Sequence, residues 1–202
     1  MQESGNRRAR ALPYQADAAC RIDRDNRVLR IEMSNTGVQP VHHAIYDNSL
    51  AGSGPRQYDV PASGGSVEDQ FSIPADGGYD LSVYGPNGFL RRAAGNITGA
   101  GSRLQVSSSY DFSAAGRAKF RLTIFNGGNG DLIVTIQAGA QHRDQPRIYA
   151  LAPGQTSSDF WDVQLYTNGW YDFSVTADGD PEFLRRFAGH LETGSASLTG
   201  MT

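Results

Sequence analysis

Hydrophobic and polar residues alternate one by one along several short stretches of this chain. Residues 29–33 read Leu-Arg-Ile-Glu-Met, and residues 132–138 place an apolar side chain at every second position. Successive side chains of a β-strand point to opposite faces, so this period is typical of strands with one buried face. No stretch keeps the spacing of an amphipathic helix through two turns. The pattern therefore predicts an all-β chain.

Turn-forming sequences separate the predicted strands roughly every ten residues. The chain holds 24 glycines in 202 residues, well above the usual share of about 7%. Gly, Asn, Asp and Pro clusters supply the backbone angles that tight turns require. They occur at residues 35–37, 62–65, 75–78, 85–88, 126–130, 153–154 and 168–169. Short strands with frequent turns favour antiparallel β-sandwiches.

The sequence also repeats itself. Residues 78–83 (GYDLSV) match residues 170–175 (WYDFSV), and the phrase FLRRAAG at 89–95 returns as FLRRFAG at 183–189. Such self-similarity indicates a tandem duplication. We predict two tandem antiparallel β-sandwich modules of about 90 residues each, over residues 13–103 and 104–202. Residues 1–12, with three arginines in a polar lead-in, are predicted to be a linker, or alternatively a frayed tail.

Charge and composition exclude several functions. The net charge is −3 and the isoelectric point is near 5.8, so the basic face that binds nucleic acid is not expected. Cys20 is the single cysteine, which excludes an internal disulfide and a thiolate metal cluster. No run of about 18 apolar residues is present to span a bilayer.

The repeated phrase permits two interpretations. If the strands of each predicted hairpin are neighbours, Asp80 lies within reach of Arg91 or Arg92, and Asp172 within reach of Arg185 or Arg186. Two diverged copies usually share what the fold requires, which favours structural ion pairs. The alternative is a ligand site, because paired guanidinium groups suit phosphate head groups.

Aromatic residues cluster in the second copy. A platform of Trp161, Trp170 and Tyr171 could hold a choline head group by cation–π contact or stack on a sugar. Aligned to the first copy at an offset of 92, Trp161 meets Asp69 and Trp170 meets Gly78, so neither tryptophan is expected to be needed by the shared fold. The alternative is that they fill the face between the modules.

Catalytic and metal-binding motifs are not found. The sequence has no Gly-x-Ser-x-Gly elbow, phosphate-binding glycine loop, His-Glu-x-x-His or Cys-x-x-Cys. The acidic turn containing Asp178, Asp180 and Glu182 is a weak calcium candidate, because its carboxylates are two residues apart but the rest of a calcium loop is missing. We therefore expect no bound metal and no cofactor.

The duplicated motif resembles a known family. The stretch from Gly77 to Arg92, its weaker copy from Gly169 to Gly189, and the lead-in ARALPY at residues 9–14 resemble the paired C-terminal domains of bacterial phosphocholine-preferring phospholipase C enzymes. The resemblance covers residues 7 to 195. It implies an upstream catalytic domain in the same polypeptide, with the metal and nucleophile motifs of the family in that domain and none in this chain.

Function follows from this resemblance as an expectation. The chain is expected to be the non-catalytic accessory region of a secreted or periplasmic bacterial enzyme that hydrolyses phosphatidylcholine or sphingomyelin to phosphocholine. It would pack on the catalytic domain and assist contact with the lipid surface. The alternative is an independent carbohydrate- or lipid-binding module.

Overall fold

The computed structural model describes residues 7–50, 52–114, 117–139 and 144–199, and these are almost entirely β-strands and turns. The prediction of an all-β chain with two tandem modules is confirmed. The first half contains β1 (Arg7–Ala9), β2 (Ala16–Asp23), β3 (Val28–Asn35), β4 (Val41–Asp47), β5 (Arg56–Val60), β6 (Gly65–Ser72), β7 (Gly78–Tyr84) and β8 (Leu90–Asn96). Residues 1–6 of the predicted linker lie outside the described residues.

The second half repeats this order after a short 3₁₀ turn at Ala100–Arg103. It contains β9 (Leu104–Asp111), β10 (Lys119–Asn126), β11 (Leu132–Ala138), β12 (Arg147–Leu151), β13 (Thr156–Trp161), α1 (Val163–Thr167), β14 (Trp170–Ala177), β15 (Asp180–His190) and β16 (Ser197–Thr199). The helix α1 is a feature of the second copy, since the first copy connects β6 to β7 through a turn at residues 73–77.

Each module is a sandwich of a three-stranded sheet on four strands of a larger sheet. In the first module the small sheet has the order β2-β3-β6, and in the second β9-β10-β13. The alternation seen in the sequence sets the inner faces, because every second residue of β3 and β10 is buried. The two cores are separate clusters, one built around Leu29, Met33 and Ile45, the other around Phe120, Phe173 and Ile136.

One continuous sheet joins the modules. Its eight strands run in the order β12-β11-β14-β15-β8-β7-β4-β5, and all neighbouring pairs are antiparallel. The central pair is β8 with β15, so the two copies of the repeated phrase form the seam between modules. A separate two-stranded ribbon pairs β1 with β16 beside the second module.

Candidate functional site at the junction of the two modules

The first arginine of each copy is buried at the seam. Arg91 is only 5% exposed, and its guanidinium reaches into the second module. It donates hydrogen bonds to the hydroxyl of Tyr171 at 3.1 Å, to the hydroxyl of Tyr110 at 2.8 Å and to the carbonyl oxygen of Ala188 at 3.2 Å. Its Nε also donates to Asp17 of β2 at 3.0 Å. Arg91 therefore connects both sheets of one module to both sheets of the other.

Arg185 makes the reciprocal contacts. This residue of the second module is also 5% exposed, and it donates to the hydroxyl of Tyr79 in the first module at 2.8 Å. It also donates to the carbonyl oxygen of Ala94 at 2.8 Å. Tyr79 and Tyr171 are equivalent positions of the repeat. Each module therefore contributes one arginine that donates a hydrogen bond to a tyrosine of the other module. Arg91 and Arg185 are called the inter-module arginines below.

The surroundings keep Arg91 charged although it is buried. Burial would lower its pKa, but Tyr171, Tyr110 and the carboxylate of Asp17 outweigh that effect and the pKa is raised. Burial raises the pKa of Tyr110 well above its ordinary value, so its hydroxyl stays protonated and donates to the carbonyl of Ala16. Both terminal nitrogens of Arg91 and of Arg185 donate to acceptors inside the protein. The guanidinium groups of the inter-module arginines are thus buried in contacts within the protein and are not accessible to a phosphate ligand.

The second arginine of each copy lies on the outer face of the continuous sheet. Arg92 binds Asp80 with two hydrogen bonds of 2.9 and 2.6 Å, and Arg186 binds Asp172 with two of 2.9 and 2.7 Å. Partial burial would raise the pKa of the Asp80 carboxyl, but the hydrogen bonds from Arg92 and Asn48 outweigh it and the pKa is lowered. The arginine side chains are 38% and 41% exposed, so part of each guanidinium faces solvent.

Trp161 is a core residue, which corrects the expected surface role. It is 5% exposed and its ring packs against Phe173 with centroids 4.4 Å apart. The expected alignment with Asp69 is also wrong, because Trp161 pairs with Phe120 just as Phe71 pairs with Leu29. The guanidinium of Arg147 lies over Trp161 as that of Arg56 lies over Phe71. The second copy has two more residues between Trp161 and Tyr171 than the first copy has between Phe71 and Tyr79. An alignment at the offset of Tyr171 therefore misplaces Trp161.

The other two aromatic candidates also lie inside the junction. Tyr171 is 2% exposed and stacks on Phe120 with centroids 4.3 Å apart. The expected lipid contact of Tyr171 is therefore wrong, because its ring is not accessible. Trp170 is half-buried, and its indole N–H donates to the carbonyl of Leu198 at 2.9 Å. A Cβ on Gly88 of the first module would lie 3.5 Å from the Trp170 ring, so that ring covers the β7–β8 turn.

The acidic turn does not have the arrangement of a calcium loop. Asp180 is 5% exposed, and its carboxylate accepts hydrogen bonds from the backbone N–H of Gly101 at 2.8 Å and of Phe183 at 3.2 Å. It therefore fastens the connection between modules to β15. Asp178 and Glu182 are exposed. Within the ranges that the structure describes, no cluster of three or more His, Cys, Asp or Glu side chains is arranged to hold a metal ion.

A second buried polar cluster, at the end of β15, was not predicted from the sequence. His190 Nδ1 lies 2.9 Å from Glu192, and the two side chains are 5% and 9% exposed. Glu192 also accepts hydrogen bonds from the backbone N–H of Leu12 at 3.0 Å and from Asn87 at 2.6 Å. This His190–Glu192 hub thus joins the segment that leads into the first module, a turn of the first module and the end of the second. The contacts of Glu192 with Leu12 and Asn87 are distant in sequence, so no local motif marks them.

Beside the hub lies an open pocket of about 370 Å³, lined by Arg8, Asn168, His190, Ser197 and Leu198, among others. The hydroxyl of Ser197 lies 2.9 Å from His190 Nε2, a separation suited to a nucleophile and its base. That hydroxyl, however, donates to the carbonyl oxygen of Asn168 at 2.7 Å, so its proton is not directed at the imidazole. The arrangement fastens β16 and the end of β15 to the C-terminus of α1, and the Ser197 hydroxyl is not prepared as a nucleophile.

No helix among the described parts of the chain has the length and apolar character needed to cross a bilayer.

Comparisons with known proteins identify a family that matches both modules. The family model described as "Bacterial phospholipase C, C-terminal domain" matches twice, over residues 8–96 and 104–190. The two matches coincide with the two structural copies of the repeat.

Three curated relatives cover nearly the entire chain. A non-hemolytic phospholipase C of Burkholderia pseudomallei is 38% identical over 203 residues, covering 98% of this chain and 28% of the relative. A non-hemolytic and a hemolytic phospholipase C of Pseudomonas aeruginosa are 31% and 33% identical, covering 98% and 97% of this chain and 29% of each relative. The chain thus spans under a third of the length of the curated relatives it matches.

Proposed function

Because the chain belongs to the family of C-terminal domains of bacterial phospholipase C, we propose that it is a non-catalytic accessory region of a secreted enzyme. The enzyme would hydrolyse phosphatidylcholine or sphingomyelin to phosphocholine. In this proposal the chain packs on a catalytic domain of the same polypeptide and helps that domain to contact the lipid surface.

One observation supports the non-catalytic role most strongly. Two of the four arginines of the duplicated phrase, the inter-module arginines, are buried and hydrogen-bonded to Tyr171, Tyr79 and backbone carbonyls, and the other two are paired with Asp80 and Asp172. The duplication therefore preserves FLRR because two modules need a shared seam. Two sandwiches that share one sheet, with their buried polar groups hydrogen-bonded to each other, suit the role of a rigid support.

The test is phosphocholine release from phosphatidylcholine and sphingomyelin vesicles. We expect the 202-residue chain to release none at high protein concentration, and a longer polypeptide that includes the preceding domain to release it readily. Release that scales with the concentration of the 202-residue chain, and persists in a preparation purified to constant specific activity, would overturn the proposal.

A lipid-contact role is favoured by an aromatic pair on the outer face of the sheet. Tyr46 and Tyr84 are 40% and 46% exposed and meet edge to face with ring centroids 5.5 Å apart. Ser82 lies between Tyr46 and Arg92 in the strand register, and Arg186 is the next residue across the seam. Tyrosine faces attract a choline cation, and the solvent-facing edges of the guanidinium groups suit its phosphate.

Vesicle co-sedimentation tests this second role. Because phosphatidylcholine carries no net charge and the chain is acidic, binding would depend on short-range contacts and persist at high salt. We expect Tyr46→Ser with Tyr84→Ser to weaken binding at least threefold, whereas Phe160→Ser, at a 41% exposed position on the sheet β9-β10-β13, leaves it unchanged. Equal binding by the tyrosine variant and the parent would remove the outer face as a lipid surface.

A further inference from the structure

The second module contains an exposed apolar helix, and the first module has a turn at the equivalent position. Between Trp161 and Tyr171 lies α1, whereas a shorter turn lies between the equivalent residues Phe71 and Tyr79. The helix exposes Leu165 by 51% and Tyr166 by 78%, which makes Tyr166 the most exposed large hydrophobic residue in the described part of the chain. Because the first copy folds without α1, this helix is not required by the sandwich.

The helix borders the pocket beside the His190–Glu192 hub. Gln164 of α1 and Asn168, which caps its C-terminus, line the pocket together with Arg8, Ser197 and Leu198. The exposed helix and the pocket therefore form one surface, which we call the α1 face and define by Leu165, Tyr166 and the pocket-lining residues. It combines an apolar part with an exposed arginine.

The chain enters the structure at this same surface. Arg8 lies in β1, which pairs with β16 of the second module and not with the first module that follows it in sequence. The path is fixed, because the N–H of Leu12 donates to Glu192 at 3.0 Å. The start of β1 therefore lies beside the second module, and a preceding domain would be reached from that side.

We propose that the α1 face is the docking surface for the preceding domain of the same polypeptide. This inference rests on the proposed function and adds the face that is used. The chain covers only 28–29% of its relatives, so a larger partner belongs to the polypeptide in those proteins. Its contact surface would place apolar side chains on Leu165 and Tyr166 and a hydrogen-bond acceptor near Arg8. The continuous sheet's outer face then remains exposed.

Hydroxyl-radical footprinting of the 202-residue chain and of the longer polypeptide tests the proposal. In the longer polypeptide we expect oxidation of Leu165 and Tyr166 to fall at least fivefold, while Tyr46 and Tyr84 react as before. Lower oxidation of Tyr46 and Tyr84, with unchanged oxidation of Tyr166, would show that the α1 face is not the docking surface. The proposal that the chain docks on the preceding domain would still stand. Equal oxidation of every residue in both proteins would overturn docking itself, and with it that part of the proposed function.

A variant provides an independent measurement. Tyr166→Ser changes a side chain that is 78% exposed in the 202-residue chain, so its Tm should stay within about 1 °C. In the longer polypeptide the same change should lower the Tm of this region by about 2–4 °C. Ile148→Ser, which changes an exposed residue on β12, should be neutral in both. A variant that is neutral in the longer polypeptide as well would contradict the proposal.

Discussion

Arg92 and Arg186 lie directly opposite each other on the paired strands β8 and β15. They are the same position of the duplicated phrase, and a residue that pairs with its own repeat equivalent lies on a local two-fold axis. The neighbouring arginines follow the same symmetry, because Arg91 donates to Tyr171 while Arg185 donates to Tyr79. The phrase FLRR is therefore duplicated because each module presents the same edge to the other.

The inter-module arginines should dominate stability. We expect Arg91→Met to lower the free energy of unfolding by about 3–5 kcal/mol, because it leaves the carboxylate of Asp17 and two tyrosine hydroxyls without their buried cation. The adjacent variant Arg92→Met is the matched control, and the loss of its half-exposed pair should cost about 0–1 kcal/mol. Urea unfolding of the two variants measures both values. Equal losses would mean that burial at the seam has no special role.

Trp161 should behave as a core residue. Trp161→Ala should lower the free energy of unfolding by about 3–5 kcal/mol through a cavity next to Phe173. Trp161→Phe should cost less, because Phe71 fills the equivalent position in the first module. Vesicle binding of the folded Trp161→Phe variant should match the parent. A variant that kept its stability but lost vesicle binding would restore the surface role.

The hub should make stability depend on acid. Burial opposes ionisation of Glu192, but hydrogen bonds from His190, Leu12 and Asn87 outweigh it and hold the pKa below the ordinary 4.5. A carboxyl with a lowered pKa in the folded state stabilises the fold above pH 4.5, and this contribution disappears as the pH falls through the folded pKa.

Glu192→Gln should therefore lower Tm at pH 7 and flatten the fall in Tm on the acid side. Thermal unfolding from pH 3 to pH 8 measures this difference. Glu182→Gln, in the exposed turn, is the control and should follow the parent. A Glu192→Gln curve parallel to that of the parent would show that the hub does not stabilise the fold through its charge.

A buried histidine adds a second loss of stability on the acid side, at a higher pH than Glu192. His43 is completely buried against Phe89, its Nε2 has no hydrogen-bond partner in the described structure, and the second copy has Val134 at this position. Burial lowers the pKa of His43 below the ordinary 6.5, so the unfolded chain takes up a proton first and the fold loses stability below pH 6.5.

His43→Val removes that acid penalty. The Tm of the variant relative to the parent should therefore be higher at pH 5 than at pH 8, as measured by thermal unfolding. Val134→Ala, at the equivalent position of the second copy where no group titrates, should lower the Tm by the same amount at both pH values. The same difference for His43→Val at both pH values would be evidence against a buried neutral imidazole.

The local features of this fold could be predicted from sequence. Alternation at residues 29–33 and 132–138 predicts the inner faces of strands, and the repeat predicts Asp80 within reach of Arg91 or Arg92 across a single hairpin. The seam could not be predicted, because the pairing of β8 with β15 joins segments about a whole module apart. Trp161 was misplaced for a simple reason: the insertion of α1 changes the offset between copies, and only strand register reveals it.

The central claim is that the two copies of FLRR join the modules into one structural unit, and calorimetry tests it most directly. The parent chain should unfold in one transition whose calorimetric and van't Hoff enthalpies agree. The double variant Arg91→Met with Arg185→Met should unfold in two separate transitions, one for each module. A parent chain that already unfolds in two independent transitions would contradict the account.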